Sequence, residues 1–303
     1  MRLTLNKIKL YSIFTYFVIN VSFITLAIAD DDPVLSLADN LFNNNDYFNS
    51  ATEYKRFIFF NSDSSKLSYA YCKLGICFSY LNNDNESFSN LDLSLKYANN
   101  DSIKNIVRLL KSILYLKAGN YDLAQLELLK ISIYETNTEI KSYAQFFLCV
   151  CFIHLYEWKK AQQIIEEYNI ESVLLPSQKH SVDSLIILGI DYKEKSVKTA
   201  SFLSTIIPGL GQIYAGNIKQ GINAFCINTL ESYYIINWVT NKRYFDAFLL
   251  FYGGFLKYYK GNLYYTKRLI EDKNNDYKSM LSKKIINIMF ENNSKFIFSY
   301  PTK

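Results

Sequence analysis

Histidine, proline and cysteine are scarce in this chain of 303 residues, which has two His, four Pro and five Cys. So few metal-binding side chains leave little material for a metal site, and the cysteines do not form a disulfide framework. An excess of one charge is also lacking, because the formal net charge of +5 is too small to suggest nucleic-acid binding. Half of the residues are apolar, which excludes an intrinsically disordered chain.

The charges that are present divide the chain into two parts. Residues 30–171 carry 13 basic and 19 acidic side chains, a net charge of −6. Residues 172–303 carry 17 basic and 9 acidic side chains, a net charge of +8. An acidic middle followed by a basic C-terminal half indicates two regions with different surroundings.

Residues 1–29 have the layout of a secretory signal peptide. Three basic residues without an acid precede the apolar run Leu10–Leu26, and small residues around Ala29 precede three aspartates. This order predicts cleavage and export of the segment that follows. An uncleaved anchor helix is the alternative, because the run is long for a signal core. No cysteine lies near Ala29, so lipid attachment there is not expected.

Candidate catalytic and metal-binding groups are few. Cys149 and Cys151 with His154 could hold a metal, but small thiols buried on a helix are far more common. Neither His154 nor His180 has a matching nucleophile or carboxylate. The glycines of residues 209–216 lack the third Gly of a dinucleotide loop and the Lys and Ser/Thr of a phosphate loop. We expect no catalytic residue, no cofactor, no metal and no enzyme activity.

The middle of the chain contains a repeated pattern with a period of 36 to 37. Small residues recur at Ala51, Ser87, Ala124 and Ala161. An aromatic stands nine positions before each, at Phe42, Phe78, Tyr115 and Phe152, and three positions before each stand Phe48, Asp84, Tyr121 and Trp158. Turn-forming residues fall in between. The pattern predicts four helical hairpins that must stack, with small residues where paired helices approach closely.

This pattern resembles the tetratricopeptide repeat family over residues 33–170. The first helix of the family motif is matched by Tyr71, Leu74, Gly75 and Phe78, and the second by Tyr121 with Ala124 and Trp158 with Ala161. The longer period, Asp84 and Ser87 depart from the family pattern. The resemblance implies an all-α solenoid that binds a protein segment on the concave face of its first helices.

Carried over by spacing, this face supplies the candidate partner groove, which consists of Ile76, Tyr80, Ile113, Lys117, Phe146, Val150 and Ile153, with Cys72 beside them. The groove is mostly apolar and lacks the Lys and Asn clamp that some family members use for a C-terminal carboxylate, so a receptor for chaperone tails is not expected. The alternative is that a helix of the same chain fills the groove, or that Ser184–Ile190 caps the stack.

A glycine-rich region follows, with seven of the ten glycines between Gly209 and Gly261. Its motif consists of Pro208, Gly209, Gly211, Gln212, Tyr214, Gly216 and Gly221. This motif is similar to one found in small two-helix bacterial membrane domains. The resemblance implies a membrane location and no particular activity, and it gives Gly216 and Gly221 the role of letting helices approach closely.

Two apolar stretches, Ile222–Val239 and Tyr244–Tyr259, are near the lower length limit for membrane-spanning helices. The turn between them contains Lys242 and Arg243, which the positive-inside rule places in the cytoplasm if the repeats are exported. A buried soluble hairpin is the alternative, because Glu231 and Asp246 are costly in lipid. A polar intramembrane cavity around Gln212, Asn228 and Glu231 would favour an enzyme.

The sequence therefore predicts an all-α chain in which a tetratricopeptide-like helical-hairpin solenoid precedes a hydrophobic, membrane-embedded helical hairpin. The expected segments are a signal peptide (1–29), four repeats (33–170), a capping helix and linker (171–198), a glycine-rich two-helix membrane domain (199–265) and a basic amphipathic tail (266–303). The tail would lie on the membrane or pack against the hairpin.

The expected function is that of a non-enzymatic scaffold or adaptor of the bacterial cell envelope. It would be anchored in the inner membrane with its repeats in the periplasm, and it would bind a protein partner and membrane lipid but no nucleic acid. A component of outer-membrane protein assembly or envelope transport is the alternative.

Overall fold

The computed structural model describes residues 32–134, 137–167 and 176–290. Every regular element in these ranges is a helix, so the prediction of an all-α chain is confirmed for them. The predicted signal peptide and the end of the predicted tail, residues 291–303, lie outside the described residues. The chain divides into two compact units. The first comprises the residues up to Ile190 and those from Ser282 onward, and the second comprises Asp191–Leu281.

The first unit contains four consecutive helical hairpins. Their helices are α1 (Pro33–Asn43) and α2 (Tyr47–Phe60), α3 (Ser64–Tyr80) and α4 (Asp84–Tyr97), α5 (Asp101–Ala118) and α6 (Tyr121–Tyr134), and α7 (Thr138–His154) and α8 (Trp158–Glu167). Each helix packs on the next one in sequence, within hairpins and between them. The apolar faces are therefore buried by stacking, as in a helical-repeat solenoid.

The turn inside each hairpin follows a strict 37-residue period. A residue with left-handed backbone stands in every turn, at Asn45, Asn82, Gly119 and Tyr156. Its amide donates to the carbonyl three residues earlier, and the next amide donates to the carbonyl five residues earlier, as when Asn83 N donates to Phe78 O at 2.9 Å. This pair of hydrogen bonds is the Schellman motif that ends a helix. The period is therefore 37 throughout.

The first repeat is shifted by one residue from the predicted alignment. The second helices of the hairpins begin at Tyr47, Asp84, Tyr121 and Trp158, each 37 residues after the last. Tyr47 and Ser50, rather than Phe48 and Ala51, are thus the structural equivalents in the first repeat. Ser50 is fully buried, whereas Phe48 is 70% exposed. The sequence pattern allowed both alignments because Ser50 and Ala51 are both small.

The small residues lie where the paired helices approach closely. Ser87 Oγ donates to Gly75 O at 2.7 Å, and Ser50 Oγ donates to Ala38 O at 2.9 Å, both across an interval of 12 residues. A Cβ atom on Gly75 would lie 3.0 Å from both Leu91 Cγ and Ser87 O. Serine at position 87 therefore keeps the close approach and adds a hydrogen bond between the helices.

A ninth helix, α9 (Pro176–Asp191), follows the hairpins. A Cβ atom on Gly189 of α9 would lie 2.8 Å from the indole of Trp158, so glycine is needed there for the two helices to pack. The predicted cap, Ser184–Ile190, lies in this helix, and Val182 and Ile186 are fully buried. Residues up to Ile190 belong to the first unit.

The second unit begins with the short helices α10 (Val197–Ile206) and α11 (Leu210–Tyr214). It continues with α12 (Ile218–Thr240), α13 (Tyr244–Leu250), a π-helical turn (Phe251–Phe255) and α14 (Leu256–Phe290). The residues of α14 from Ser282 onward belong to the first unit. The two predicted spans correspond to α12 and to the segment from α13 into α14. Among the described helices, none combines the length and the apolarity that crossing a membrane requires, so the membrane-embedded hairpin is not supported.

The glycines of the motif have two different roles. Gly209 has φ +102°, and a Cβ atom there would lie 2.1 Å from Gly221 O. Gly221 faces Gly209 O and Ile213, so these two glycines permit a close contact between the turn before α11 and the start of α12. Gly216 has φ +87°, and its nearest neighbour would be Lys273 Nζ at 3.5 Å. Gly216 therefore ends α11 with left-handed backbone and does not mediate a close approach.

Candidate functional site

The apolar members of the predicted groove are buried. Ile76, Ile113 and Val150 occupy equivalent positions 37 residues apart, and each is 1% exposed. Phe146 and Ile153 are fully buried. These side chains belong to the first helices α3, α5 and α7, and in this conformation they do not form an open surface. Their part in partner binding stays a prediction.

Tyr80 and Lys117, the two polar members of the predicted groove, lie at contacts between repeats. The ring of Tyr80 stacks on that of Tyr47, with centroids 4.1 Å apart and an interplanar angle of 6°. Lys117 Nζ lies 3.8 Å from Asp84 Oδ1 and 3.2 Å from Ser79 O. In both pairs, the residue that begins the second helix of one hairpin contacts the last turn of the first helix of the next hairpin. The helices are α2 and α3 for Tyr80, and α4 and α5 for Lys117. Lys117 thus compensates for aspartate at position 84.

The C-terminal end of α14 packs on α7, the first helix of the fourth hairpin. The rings of Phe290 and Phe146 meet edge to face, with centroids 5.4 Å apart. Gln178 Nε2 of α9 donates to Ile288 O at 2.9 Å. Ile285 and Met289 are fully buried. The residues from Ser282 to Phe290 therefore place an apolar helical face against a residue of the predicted groove.

A polar cluster inside the first two repeats was not anticipated from the sequence. The hydroxyls of Tyr54 and Tyr69 both donate to Asp39 Oδ1, the latter at 2.7 Å. Lys73, 4% exposed, lies with its Nζ 4.2 Å from the centre of the Phe42 ring. Burial lowers the pKa of Lys73 and raises that of Tyr54. Tyr54, Tyr69 and Lys73 are buried in the stack, whereas Asp39 is half-buried.

The four cysteines of the repeats are buried thiols with raised pKa values. Cys72 and Cys77 are buried, and burial raises the pKa of each thiol to about 12. Burial also raises the pKa values of Cys149 and Cys151. Among the described residues there is no group of three or more His, Cys, Asp and Glu side chains that could hold a metal. Cys149 and Cys151 are fully buried, and half-buried His154 stacks on Tyr121.

The second unit contains a cavity of about 620 Å³ beside the glycine motif. Its deeper wall is formed by Gln212, Ala224, Glu231 and Asn262, and its rim is formed by exposed residues that include Lys257 and Tyr258. Of the three polar residues that would favour an enzyme, Gln212 and Glu231 line the cavity. Asn228, which lies within α12, is buried, and its Nδ2 donates to Ala224 O at 2.7 Å.

A buried polar network connects this cavity to the motif. Gln212, 1% exposed, donates through Nε2 to Asn262 Oδ1. Ser204 Oγ accepts from Gly211 N at 2.9 Å and lies 3.2 Å from Thr266 Oγ1. Thr266 Oγ1 in turn donates to Asn262 O at 2.8 Å. The network joins α10, α11 and α14, so the glutamine of the motif has a structural role in orienting Asn262.

The remaining motif residues lie close by. Tyr214 O accepts a hydrogen bond from Lys195 Nζ at 2.9 Å, and the Tyr214 hydroxyl accepts one from Ser196 N at 3.3 Å. Pro208 precedes Gly209 in the turn between α10 and α11. The motif residues therefore connect the turn before α11, α11 itself and the start of α12.

Comparisons of the chain with protein-family models, with curated proteins and with solved structures found no match.

Proposed function

We propose that this chain is a non-enzymatic scaffold of the bacterial cell envelope whose repeat unit binds an amphipathic helix of a protein partner. The contact between Phe146 and Phe290 carries the proposal, because it places a helix of the chain itself on a residue of the predicted groove. Ile285, Ile286 and Met289 are buried on the same helix end. A partner helix with a similar apolar face would compete for this position.

The tetratricopeptide likeness supports this assignment. The four hairpins share one turn geometry and one 37-residue period, as expected for a stacked repeat array. Repeat arrays of this kind commonly present the faces of their first helices to peptide segments. The chain's own C-terminal helix would then regulate access to the face of α7.

Association with a membrane surface is the second part of the proposal. Large apolar side chains are exposed along α12 and the segment after it, including Ile222, Phe225, Leu230, Ile236, Val239, Phe245, Phe248 and Leu249. Exposed basic residues Lys242 and Arg243 lie in the turn between them. An apolar surface next to positive charge suits the boundary of an anionic bilayer. The repeats are proposed to lie in the periplasm, as their position after an export signal predicts.

A labelled peptide with the sequence of Asp276–Phe290 tests the groove. We expect it to bind the full-length variant Met289→Asp at least tenfold more tightly than the wild type, because the charge releases the native helix end. Adding Phe146→Ala to that variant should remove binding, whereas the exposed substitution Lys159→Ala should not. Equal affinity of the peptide for wild type and Met289→Asp would contradict the proposal.

A further inference from the structure

The apolar helix α12 contains a single acidic residue, Glu231. Ile227 lies four positions before it and Tyr234 three positions after it, so both are on the same side of the helix. Both side chains are exposed, and so is the adjacent Leu230. The carboxyl group of Glu231 therefore lies within the apolar surface that is proposed above to contact lipid.

No neighbouring group stabilises a negative charge on Glu231. Its Oε2 is buried and has no hydrogen-bond partner in the described protein. Its Oε1 would lie 3.2 Å from a Cβ atom on Gly254, so the π-helical turn Phe251–Phe255 passes beside it. Burial raises the pKa of Glu231, and no described charge lowers it. The carboxyl group is therefore protonated more readily than that of a solvated glutamate.

The groups of α14 that face Glu231 do not titrate below neutral pH. Lys257, Tyr258 and Tyr265 line the same cavity as Glu231. Lysine and tyrosine side chains ordinarily change charge near pH 10. Lys257 is exposed, and burial is the sole cause of the pKa shift at Glu231.

The other elements packed against α12 contribute one further carboxyl group. Asp246 of α13 is bound to Arg243, with Oδ2 2.7 Å from Nε, so its charge is compensated. The π-helical turn contributes the phenol of Tyr252, and α11 contributes that of Tyr214. Among the carboxyl groups of α12 and these elements, Glu231 is thus the one with an uncompensated charge.

The rest of the α12 surface suits the interfacial region of a bilayer. Tyr233 and Tyr234 are exposed, and the guanidinium of Arg243 lies 5.5 Å from the centre of the Trp238 ring. Aromatic and basic side chains are enriched at membrane interfaces. A charged carboxylate is costly next to lipid, whereas the neutral acid is less so. Lipid contact is therefore favoured when Glu231 is protonated.

We propose that Glu231 makes membrane binding by α12 dependent on pH, because protonation of its carboxyl group strengthens contact with an anionic bilayer. The proton comes from the solvent and is released again when the pH rises, so the binding is reversible. This inference rests on the membrane association under Proposed function and adds the residue that regulates it.

Flotation of the full chain with vesicles of phosphatidylcholine and phosphatidylglycerol, at constant ionic strength, tests the proposal. We expect the wild type to bind at least fivefold more strongly at pH 5 than at pH 7.5. Glu231→Gln keeps the size of the side chain and removes its charge. This variant should bind at pH 7.5 as strongly as the wild type does at pH 5, with little dependence on pH. Glu231→Leu provides a second uncharged variant should Glu231→Gln fail to fold.

Glu271→Gln is the matched control, because it removes an exposed acid of α14 outside the apolar surface. It should keep the pH dependence of the wild type. Equal wild-type binding at the two pH values, or unchanged pH dependence in a folded, uncharged variant, would overturn the role of Glu231 and leave membrane association intact. Absence of vesicle binding by every protein at both pH values would overturn membrane association and this inference together.

Discussion

Tyr121 stacks on His154 with ring centroids 4.1 Å apart and an interplanar angle of 10°. This pair occupies the same place between repeats as Tyr47 with Tyr80 and Asp84 with Lys117. The two residues of each pair are 33 positions apart, and successive pairs are 37 positions apart. The equivalent position between repeats thus holds a ring stack in the first and third pairs and an ion pair in the second.

The first prediction is that Asp84 and Lys117 can be exchanged together for a ring stack. Asp84→Tyr alone and Lys117→His alone should each destabilise the repeat stack, because each leaves a mismatched partner. The double variant should recover about 0.5–1.5 kcal/mol relative to the sum of the two, through the stacking seen at Tyr121 and His154. A double-mutant cycle from urea unfolding measures this coupling. Simple additivity would show that the two positions do not interact.

The second prediction concerns the close approach of paired helices. Ala124 is fully buried, and Ala124→Leu should destabilise the protein by about 1–3 kcal/mol through overpacking. Lys130→Leu on the exposed side of the same helix should change stability by less than about 0.5 kcal/mol. Thermal unfolding of the two variants gives the comparison. Equal melting temperatures would be incompatible with the observed repeat register.

The third prediction separates two kinds of glycine in the second unit. A Cβ atom on Gly221 would lie 2.5 Å from Ile213 Cγ1 and 2.7 Å from Gly209 O, so Gly221→Ala should destabilise by about 2 kcal/mol or more. Gly253→Ala meets open space and should be neutral or stabilise by up to about 1 kcal/mol. Unfolding measured by circular dichroism distinguishes the two. The reverse order would mean that α12 does not pack as described.

The fourth prediction concerns acid stability. Burial lowers the pKa of His154 from 6.5 to about 4. Between these values the unfolded chain binds a proton that the folded chain does not, so the free energy of unfolding falls as the pH drops through this window. The contribution is full above about pH 6.5 and amounts to at most about 3 kcal/mol. Urea unfolding between pH 7 and pH 4 measures it.

His154→Phe is the control for that experiment, because phenylalanine keeps a ring against Tyr121 and does not titrate. The variant should lose less stability than the wild type over the same pH range. Identical pH dependence of the two proteins would show that His154 is not protected from protonation.

The fifth prediction uses the one cysteine of the described chain that is exposed. Cys226 lies on α12 among the exposed apolar side chains, whereas the other four cysteines are buried. A water-soluble maleimide should label only Cys226 in the native protein, and Cys226→Ser should abolish the labelling. Anionic phospholipid vesicles should slow the reaction if α12 contacts lipid. An unchanged rate with saturating vesicles would argue against membrane association through this helix.

The helical hairpins could be predicted from the sequence because the residues that define each one lie close together in the chain. Turn residues and small residues a few positions apart predicted the hairpins at Ser87, Ala124 and Ala161. The register of the first repeat was missed, since two adjacent small residues satisfied the same pattern. Its position depends on backbone hydrogen bonds in the turn at Asn45, which no side-chain periodicity reports.

The site was less predictable, because its determinants are distant in sequence. Phe146 is contacted by Phe290, which lies 144 residues later in the chain. The cavity brings together Gln212, Glu231 and Asn262 from three different helices, with Gly253 and Gly254 of a π-helical turn whose extra residue has no signature in the apolar pattern. The sequence named Gln212, Asn228 and Glu231 as polar groups that could share an intramembrane cavity, and of these Gln212 and Glu231 line the cavity of the second unit.

Because the left-handed turn residues are always 37 residues apart, each repeat contributes the same length of chain. Asp46 and Asn83 occupy equivalent positions in successive turns, so the segment between them begins and ends with the same backbone geometry. Deleting or duplicating that segment would leave every later turn in phase. Complete 37-residue repeats can therefore be gained or lost without changing the turns that connect them. An insertion of any other length would interrupt the stack.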